Sequence, residues 1–383
     1  MSFSNDISVV MILNYYSHHQ SELSKALYKE THGNYTFIET APMEEERKNM
    51  GWSRDNLPSF VKQSYTSAED EADCMKLCCE ADVVIIGSAP EKFIEERLKQ
   101  NKLTFRYYER FFKQGRIRIL DPRVFASHYK KSFKNRKKNL YVLCAGAYTA
   151  PDCRFIFSYP NKTYKWGYFP ELDICNDTDG LIESKIPHSI LWAGRQISWK
   201  HPECVIHLAK RLKSENTDFV INMIGDGDLH ANIEYLVKKE NLQKNVKLLG
   251  SMQPDKVRQY MRSSQVFLFT SDRNEGWGAV LNEAMSSCCG IVANREIGSV
   301  PYLIQDGKNG LIYDRKDKNS LYRCVKKLID NEPFRKELGK NAYNTIKDVW
   351  NADIAAKRFL HLVKCINSGA AVDYNFGPCS KDF

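Results

Sequence analysis

The sequence predicts an α/β protein built from two doubly wound parallel-sheet domains, and three observations carry that expectation. Short apolar runs such as Asp82 to Ile86, Leu140 to Ala145 and Val266 to Phe269 alternate with helical patterns along the chain. Strands alternating with helices imply a parallel sheet covered on both faces. At 383 residues the chain suits two domains better than one core. Finally, Tyr148 to Ile182 breaks the rhythm with Pro151, Pro160, Gly167, Pro170 and Gly180, as a domain junction does. The expected domains are 1–170 and 171–349.

In the first domain, Ile7 to Asn14 reads as a strand, followed by a polar loop through Gln20 and a helix that Ser21 can cap. Tyr35 to Glu39 is a second strand, and Ala41 to Ser67 is rich in charge and turn residues. A helix near Ala68 to Glu80 leads to the strand Asp82 to Ile86, then to a helix from Pro90 to about Lys102. A helix from Pro122 to about Arg136 and the strand Leu140 to Ala145 follow.

Net charge is +9, and its placement is uneven: 103–139 holds twelve Lys or Arg against Glu109 and Asp121, a net of +10. Phe105, Tyr107, Tyr108, Phe111, Phe112, Phe125, Tyr129 and Phe133 are interleaved with these bases. That composition suits an anionic membrane surface, could bind nucleic acid, or is a solvated face. Membrane contact is the favoured partner, and no nucleic acid is expected. The first apolar run is too short to span a membrane and has no basic residue ahead of it. Twelve cysteines spread over a large chain, without a paired zinc spacing, suggest reduced thiols and a cytoplasmic protein.

The second domain repeats the alternation. A strand Ser189 to Ala193 ends at Gly194-Arg195, with Lys200 approaching a helix near Pro202 to Ser214. Phe219 to Ile224 runs into Gly225-Asp226-Gly227, then a helix to about Glu240. Val246 to Leu249 and a helix Asp255 to Arg262 precede the strand Val266 to Phe269. A loop with Glu275, Gly276, Trp277 and Gly278 then opens a helix from Ala279 through Val280, Leu281 and Glu283 to about Ser287. After Gly290 to Ala293 come Val300 to Gln305, a turn at 306–310 and helices around Ser320 to Asn331 and Pro333 to Asp348. A last helix, Ile354 to Cys365, and a tail from Ser368 close the chain.

Ligands of open parallel sheets sit beyond the carboxyl ends of the strands. Glycines there admit a ligand close to the backbone, and a helix start attracts phosphate. Arg195 with Lys200 suits a departing diphosphate, whereas Glu275 and Glu283 are better acceptors for sugar or ribose hydroxyls. Neither Gly225-x-Gly227 nor Gly276-x-Gly278 completes a dinucleotide fingerprint, because His230 and Leu281 stand where a third glycine belongs.

Taken together, Gly194-Arg195 with Lys200, Gly225-Asp226-Gly227, Gly250, Glu275 to Glu283 with its Glu-Gly-Trp-Gly opening, and Asp306-Gly-Lys-Asn-Gly310 resemble the retaining glycosyltransferases of family 4, the group-1 glycosyl transferases. Asn14 to Gln20, Phe37 to Thr40, the Glu44 to Trp52 region and Lys165 to Pro170 are similar to a subgroup from surface-polysaccharide gene clusters. The resemblance implies the GT-B fold: two Rossmann-like domains facing a cleft, with the last helix crossing back so that 350–383 completes the first domain. It implies that Arg195 and Lys200 bind the donor diphosphate, that Glu275 contacts the donor sugar, and that Glu283 binds the ribose. Gly194, Gly225, Gly227, Gly276, Trp277, Gly278, Ala279, Val280 and Leu281 would line the donor.

Two departures concern the acceptor side. Tyr15 to His19 replaces the usual glycine-rich loop, and Ala147, Tyr148 and Asp152 stand where many relatives place a histidine. His18, His19, Tyr148 and Asp152 are therefore the acceptor-side candidates. The expected activity is retaining, metal-independent transfer from a nucleotide sugar to a glycan or lipid-linked acceptor, without a cofactor, at the inner membrane face. The alternatives are a non-catalytic nucleotide or polyanion-binding module and a nucleotide-sugar epimerase.

Overall fold

The computed structural model describes residues 7–45, 56–172 and 174–382. Of the Glu44 to Trp52 region, residues 46–52 lie outside the described residues, as do Met1 to Asp6. The chain divides into two compact units: 1–171 with 350–383, and 172–349.

Seven strands form the sheet of the first unit: β1 (Val9–Leu13), β2 (Tyr35–Glu39), β3 (Val61–Gln63), β4 (Val83–Ile86), β5 (Thr104–Tyr108), β6 (Leu140–Ala145) and β7 (Thr163–Trp166). They lie in the order β3-β2-β1-β4-β5-β6-β7, all parallel. Every side chain of β1 and β4 is buried, which is why these strands read as unbroken apolar runs rather than alternating ones.

The second sheet contains β8 (Ile186–Ala193), β9 (Val220–Ile224), β10 (Val246–Leu248), β11 (Ser264–Phe269), β12 (Gly290–Asn294) and β13 (Leu311–Tyr313). Its order, β10-β9-β8-β11-β12-β13, is again wholly parallel. Strand order reverses between β8 and β11, so the carboxyl ends of these two strands bound the switch point where such sheets take ligands.

The final helix, Ala352–Ser368, is capped by Asn351 and packs in the first unit against the helix His18–Glu30. Beyond it the tail extends the sheet antiparallel to β7. Lys165 N–H donates to Ser380 O at 2.8 Å, and Cys379 N–H donates to Lys165 O at 2.8 Å.

Several local expectations are corrected. The helix His18–Glu30 starts earlier than expected, because Ser17 and Gln20 form a reciprocal capping box and Ser21 is buried. The stretch Tyr148 to Ile182 contains the helix Thr149–Phe155 and β7, and the division between the two units falls within it. The predicted helix Pro122 to Arg136 stays α-helical only through His128, then widens into a π turn at Tyr129–Phe133. Within the basic stretch, β5 is a central strand. It can hold Arg106 at 1% exposure because the guanidinium meets both Glu91 carboxylate oxygens, at 2.7 and 2.6 Å, and the carbonyl of Lys131 at 3.1 Å.

Candidate functional site

The carboxyl end of β8 carries Gly194 and Arg195, and a single 3-10 turn brings Lys200 back to the sheet. The Arg195 side chain is exposed and forms no ion pair among the described residues. Lys200 is largely covered. Its Nζ lies 2.6 Å from Glu275 Oε2 and 4.7 Å from the centre of the Trp199 ring. The same Glu275 oxygen accepts the Ser271 hydroxyl at 2.9 Å. Thus the ends of β8 and β11 meet through an ion pair that is mostly shielded from water.

The loop after β9 is laced to the loop after β8. Gly194 N–H donates to Ile224 O at 3.0 Å, Gln196 N–H to Asp226 O at 2.8 Å, and the Gln196 amide to Gly225 O at 2.9 Å. At φ +120°, Gly225 lies so close that an added Cβ would stand 2.0 Å from Gly194 O. Contact between the two loops therefore suffices to demand glycine there. Gly278 is comparable: at φ +80°, a Cβ would meet Phe269 Cζ at 2.3 Å.

The stretch following β11 divides by burial. Trp277 and Leu281 are fully buried core side chains, so only their backbones can face a ligand. Trp277 Nε1–H donates to Asn282 Oδ1 at 2.9 Å, and its carbonyl accepts the Ser299 hydroxyl at 2.6 Å. The helix begins at Val280, with Ala279 as its cap residue, and runs only to Ser286. In it, Glu283 is mostly buried, and desolvation pushes its carboxyl up to about 7; Arg258, 3.7 Å away, pulls in the opposite direction.

Sequence reasoning missed four contributors. Ser271 and Asn294 tie the Glu275 loop down, with Asn294 Nδ2 donating to Ser271 O at 2.8 Å. Arg258 reaches Glu283 from the helix Pro254–Ser263. His201 spans two carboxylates, Glu203 at 2.9 Å and Asp272 at 3.1 Å. Only Ser271, four residues before Glu275, had a local signal; the others depend on tertiary proximity.

The acceptor-side candidates all lie in the first unit. His18 and His19 begin a helix, their rings 3.9 Å apart, and His19 stacks on Tyr168 at 5.7 Å. Tyr148 packs against the Arg110 guanidinium at 4.7 Å. Asp152 is 1% exposed; its carboxylate accepts the N–H groups of Phe111 at 3.0 Å and Phe112 at 3.2 Å, with Arg116 3.5 Å away. That carboxylate is committed to holding a loop. Among the described residues, no group of three or more His, Cys, Asp or Glu is placed to hold a metal ion.

Two parallel six- and seven-stranded sheets of this order define a GT-B protein. Solved structures of that fold agree. Anabaena HepE, crystallised with UDP, superposes with a TM-score of 0.69 at 12% identity, covering 94% of this chain and all of the other. TarM of S. aureus gives 0.69 at 11% identity, with 95% and 100% coverage.

Residues 182–345 match the family model of the glycosyl transferases group 1. An uncharacterized glycosyltransferase of Methanocaldococcus jannaschii is 38% identical over 127 residues, 33% of this chain. An N-acetylgalactosaminyltransferase of Campylobacter jejuni, named for a diacetylbacillosaminyl-diphospho-undecaprenol acceptor, is 28% identical over 174 residues, 45% of this chain. The chain spans less than half the length of these curated relatives, 35% of the first and 46% of the second.

Proposed function

We propose that this chain is a retaining glycosyltransferase that moves a sugar from a nucleotide-diphosphate sugar to a glycan or lipid-linked acceptor in bacterial surface-polysaccharide assembly. The observation that carries the reading is the meeting of Lys200 and Glu275 at 2.6 Å, beside exposed Arg195, at the switch point of the second sheet. The Campylobacter relative's lipid-linked acceptor and the UDP bound to HepE support the substrate classes. In this reading the second unit holds the donor and the first holds the acceptor. As the sugar–phosphate bond breaks, negative charge grows on the leaving diphosphate, where Arg195 and Lys200 stabilise it electrostatically without a metal. Glu275 orients the sugar and Glu283 accepts from ribose hydroxyls.

The deciding experiment is nucleoside diphosphate release from a panel of nucleotide sugars with EDTA present, comparing the wild type with Glu275→Ala. Release from one donor, lost in the variant, supports a metal-independent transferase. Donor binding without turnover, even with membrane extract as acceptor, indicates a binding module. An isomerised donor formed without acceptor indicates an epimerase.

The same reading places the enzyme peripherally on an anionic membrane. Six of the large apolar side chains that remain exposed lie within 117–157, among them Ile117 at 74% and Leu120 at 75%. Phe125 and Tyr129 stack nearby at 6.3 Å. Arg116, Arg118, Arg123, Lys130 and Lys134 surround them in sequence. Apolar side chains ringed by cations suit a headgroup boundary, where each basic residue contributes about 1 kcal/mol. Among the described residues no helix is long and apolar enough to cross a membrane. Co-sedimentation with phosphatidylserine vesicles, weakened by Ile117→Ser with Leu120→Ser, checks this; equal binding to uncharged vesicles overturns it.

A further inference from the structure

We infer that His201 is a positioning residue for the reaction assigned above, a side-chain bridge that keeps the Lys200 loop and the Glu275 loop at one spacing. This inference rests on the transferase reading for its kinetic consequence, although the bridge itself does not. His201 directly follows Lys200 and adopts φ +51°, a left-handed conformation that a non-glycine residue takes up only with strain. Glycine would sit there freely, so the side chain must compensate for the backbone. Its Nδ1 faces Glu203 Oε1 at 2.9 Å, at the start of the helix Glu203–Ser214, and its Nε2 faces Asp272 Oδ2 at 3.1 Å, three residues ahead of Glu275.

Asp272 is in turn the foundation of the Glu275 turn. Its carbonyl accepts the Glu275 N–H at 3.0 Å, and its other carboxylate oxygen accepts the Asn274 N–H at 2.8 Å. Two further links cross the same gap: the backbone Asp272 N–H donates to Trp199 O at 2.9 Å, and the Thr270 side-chain hydroxyl donates to Lys200 O at 2.6 Å. Lys200 to Glu275 is itself a link between side chains across this gap. A donor phosphate competes with Glu275 for Lys200, so that link weakens when the site fills. His201 to Asp272 then remains, with the Thr270 hydroxyl on Lys200 O, to fix Lys200 and Glu275 about the reacting bond, and it is the contact made between two charged or titratable side chains. Misplacement by about 1 Å can lower a rate about 10²-fold.

The test uses the full chain with His201→Gly, which keeps the left-handed backbone and removes the ring, and with Asp272→Asn. Hydrogen–deuterium exchange without ligand is expected to speed up about tenfold or more across 270–278 in His201→Gly, while β12 is unchanged. With the donor that the wild type turns over, kcat is expected to fall about 10- to 100-fold and KM to change less than about threefold. Unchanged exchange overturns the bridge. Faster exchange with undiminished kcat overturns the positioning role and leaves a structural one. A wild type that turns over no donor sinks the transferase reading instead, and the exchange measurement still decides the bridge.

Discussion

Lys200 Nζ lies 2.6 Å from Glu275 Oε2, and both side chains are more than four-fifths shielded from solvent. Neither charge can be deleted without stranding the other, whereas Arg195 is exposed and forms no ion pair among the described residues. Lys200→Ala and Arg195→Ala should each lower transfer about 10- to 150-fold, from one lost charge-assisted hydrogen bond of about 1.5–3 kcal/mol. Only Lys200→Ala should also lower stability, by about 1–3 kcal/mol for the stranded carboxylate. Thermal unfolding beside initial rates separates the two. Equal melting temperatures for both variants would show that the pair contributes nothing to the fold.

Gly225→Ala should destabilise the second unit by about 2–4 kcal/mol, since the new methyl would lie 2.0 Å from Gly194 O and something must shift. Gly250→Ala is the control. Its φ of +68° is strained for alanine, but nothing lies within 4 Å of the added Cβ, so about 1 kcal/mol is expected. Comparable losses in urea titrations of the two variants would place the cost in the backbone conformation rather than in the loop–loop contact.

Glu283 yields a prediction with a definite sign. Burial raises its folded carboxyl from 4.5 to about 7, so the folded chain holds a proton that the unfolded chain releases. The stabilisation is full at acid pH, below the unfolded value, and is lost as pH rises toward 7, by up to about 1.4 kcal/mol per pH unit. Glu283→Gln, neutral throughout, should gain on the wild type between pH 5 and pH 8. If ribose hydroxyls donate to the carboxylate, nucleotide binding should release a proton near neutrality and be weaker in the variant. Calorimetry in buffers of different ionisation enthalpy measures that proton directly.

Much of this architecture was legible because parallel strands buried on both faces are written as unbroken apolar runs, as in Val83 to Ile86. The strand ends after β8 and β11 were legible for the same reason, since Arg195 and Glu275 follow such runs within a few residues. What stayed hidden needed tertiary partners. Thr104 to Tyr108 looked like part of a basic surface, because nothing local says that Glu91 will neutralise Arg106 inside the sheet. His201 and Asp272 are 71 residues apart, and neither lies in an informative spacing. Nor does anything local to Asp152 say that its carboxylate will accept the N–H groups of Phe111 and Phe112.

Those partners make the final prediction. Asp152 accepts two successive backbone N–H groups, from Phe111 and Phe112, while Arg116 stands 3.5 Å from its second oxygen. Removing a buried acceptor leaves both amides unsatisfied, at about 1–3 kcal/mol for each buried group. Asp152→Ala should therefore destabilise the first unit by about 2–4 kcal/mol and speed amide exchange across 109–118. Asp152→Asn, which keeps one carbonyl oxygen for the amides, should cost roughly half as much. Release of nucleoside diphosphate by water in the absence of acceptor should be unaltered in Asp152→Asn at temperatures where it is folded. A stable Asp152→Asn that loses transfer to the acceptor while keeping this hydrolysis would instead return Asp152 to the acceptor site.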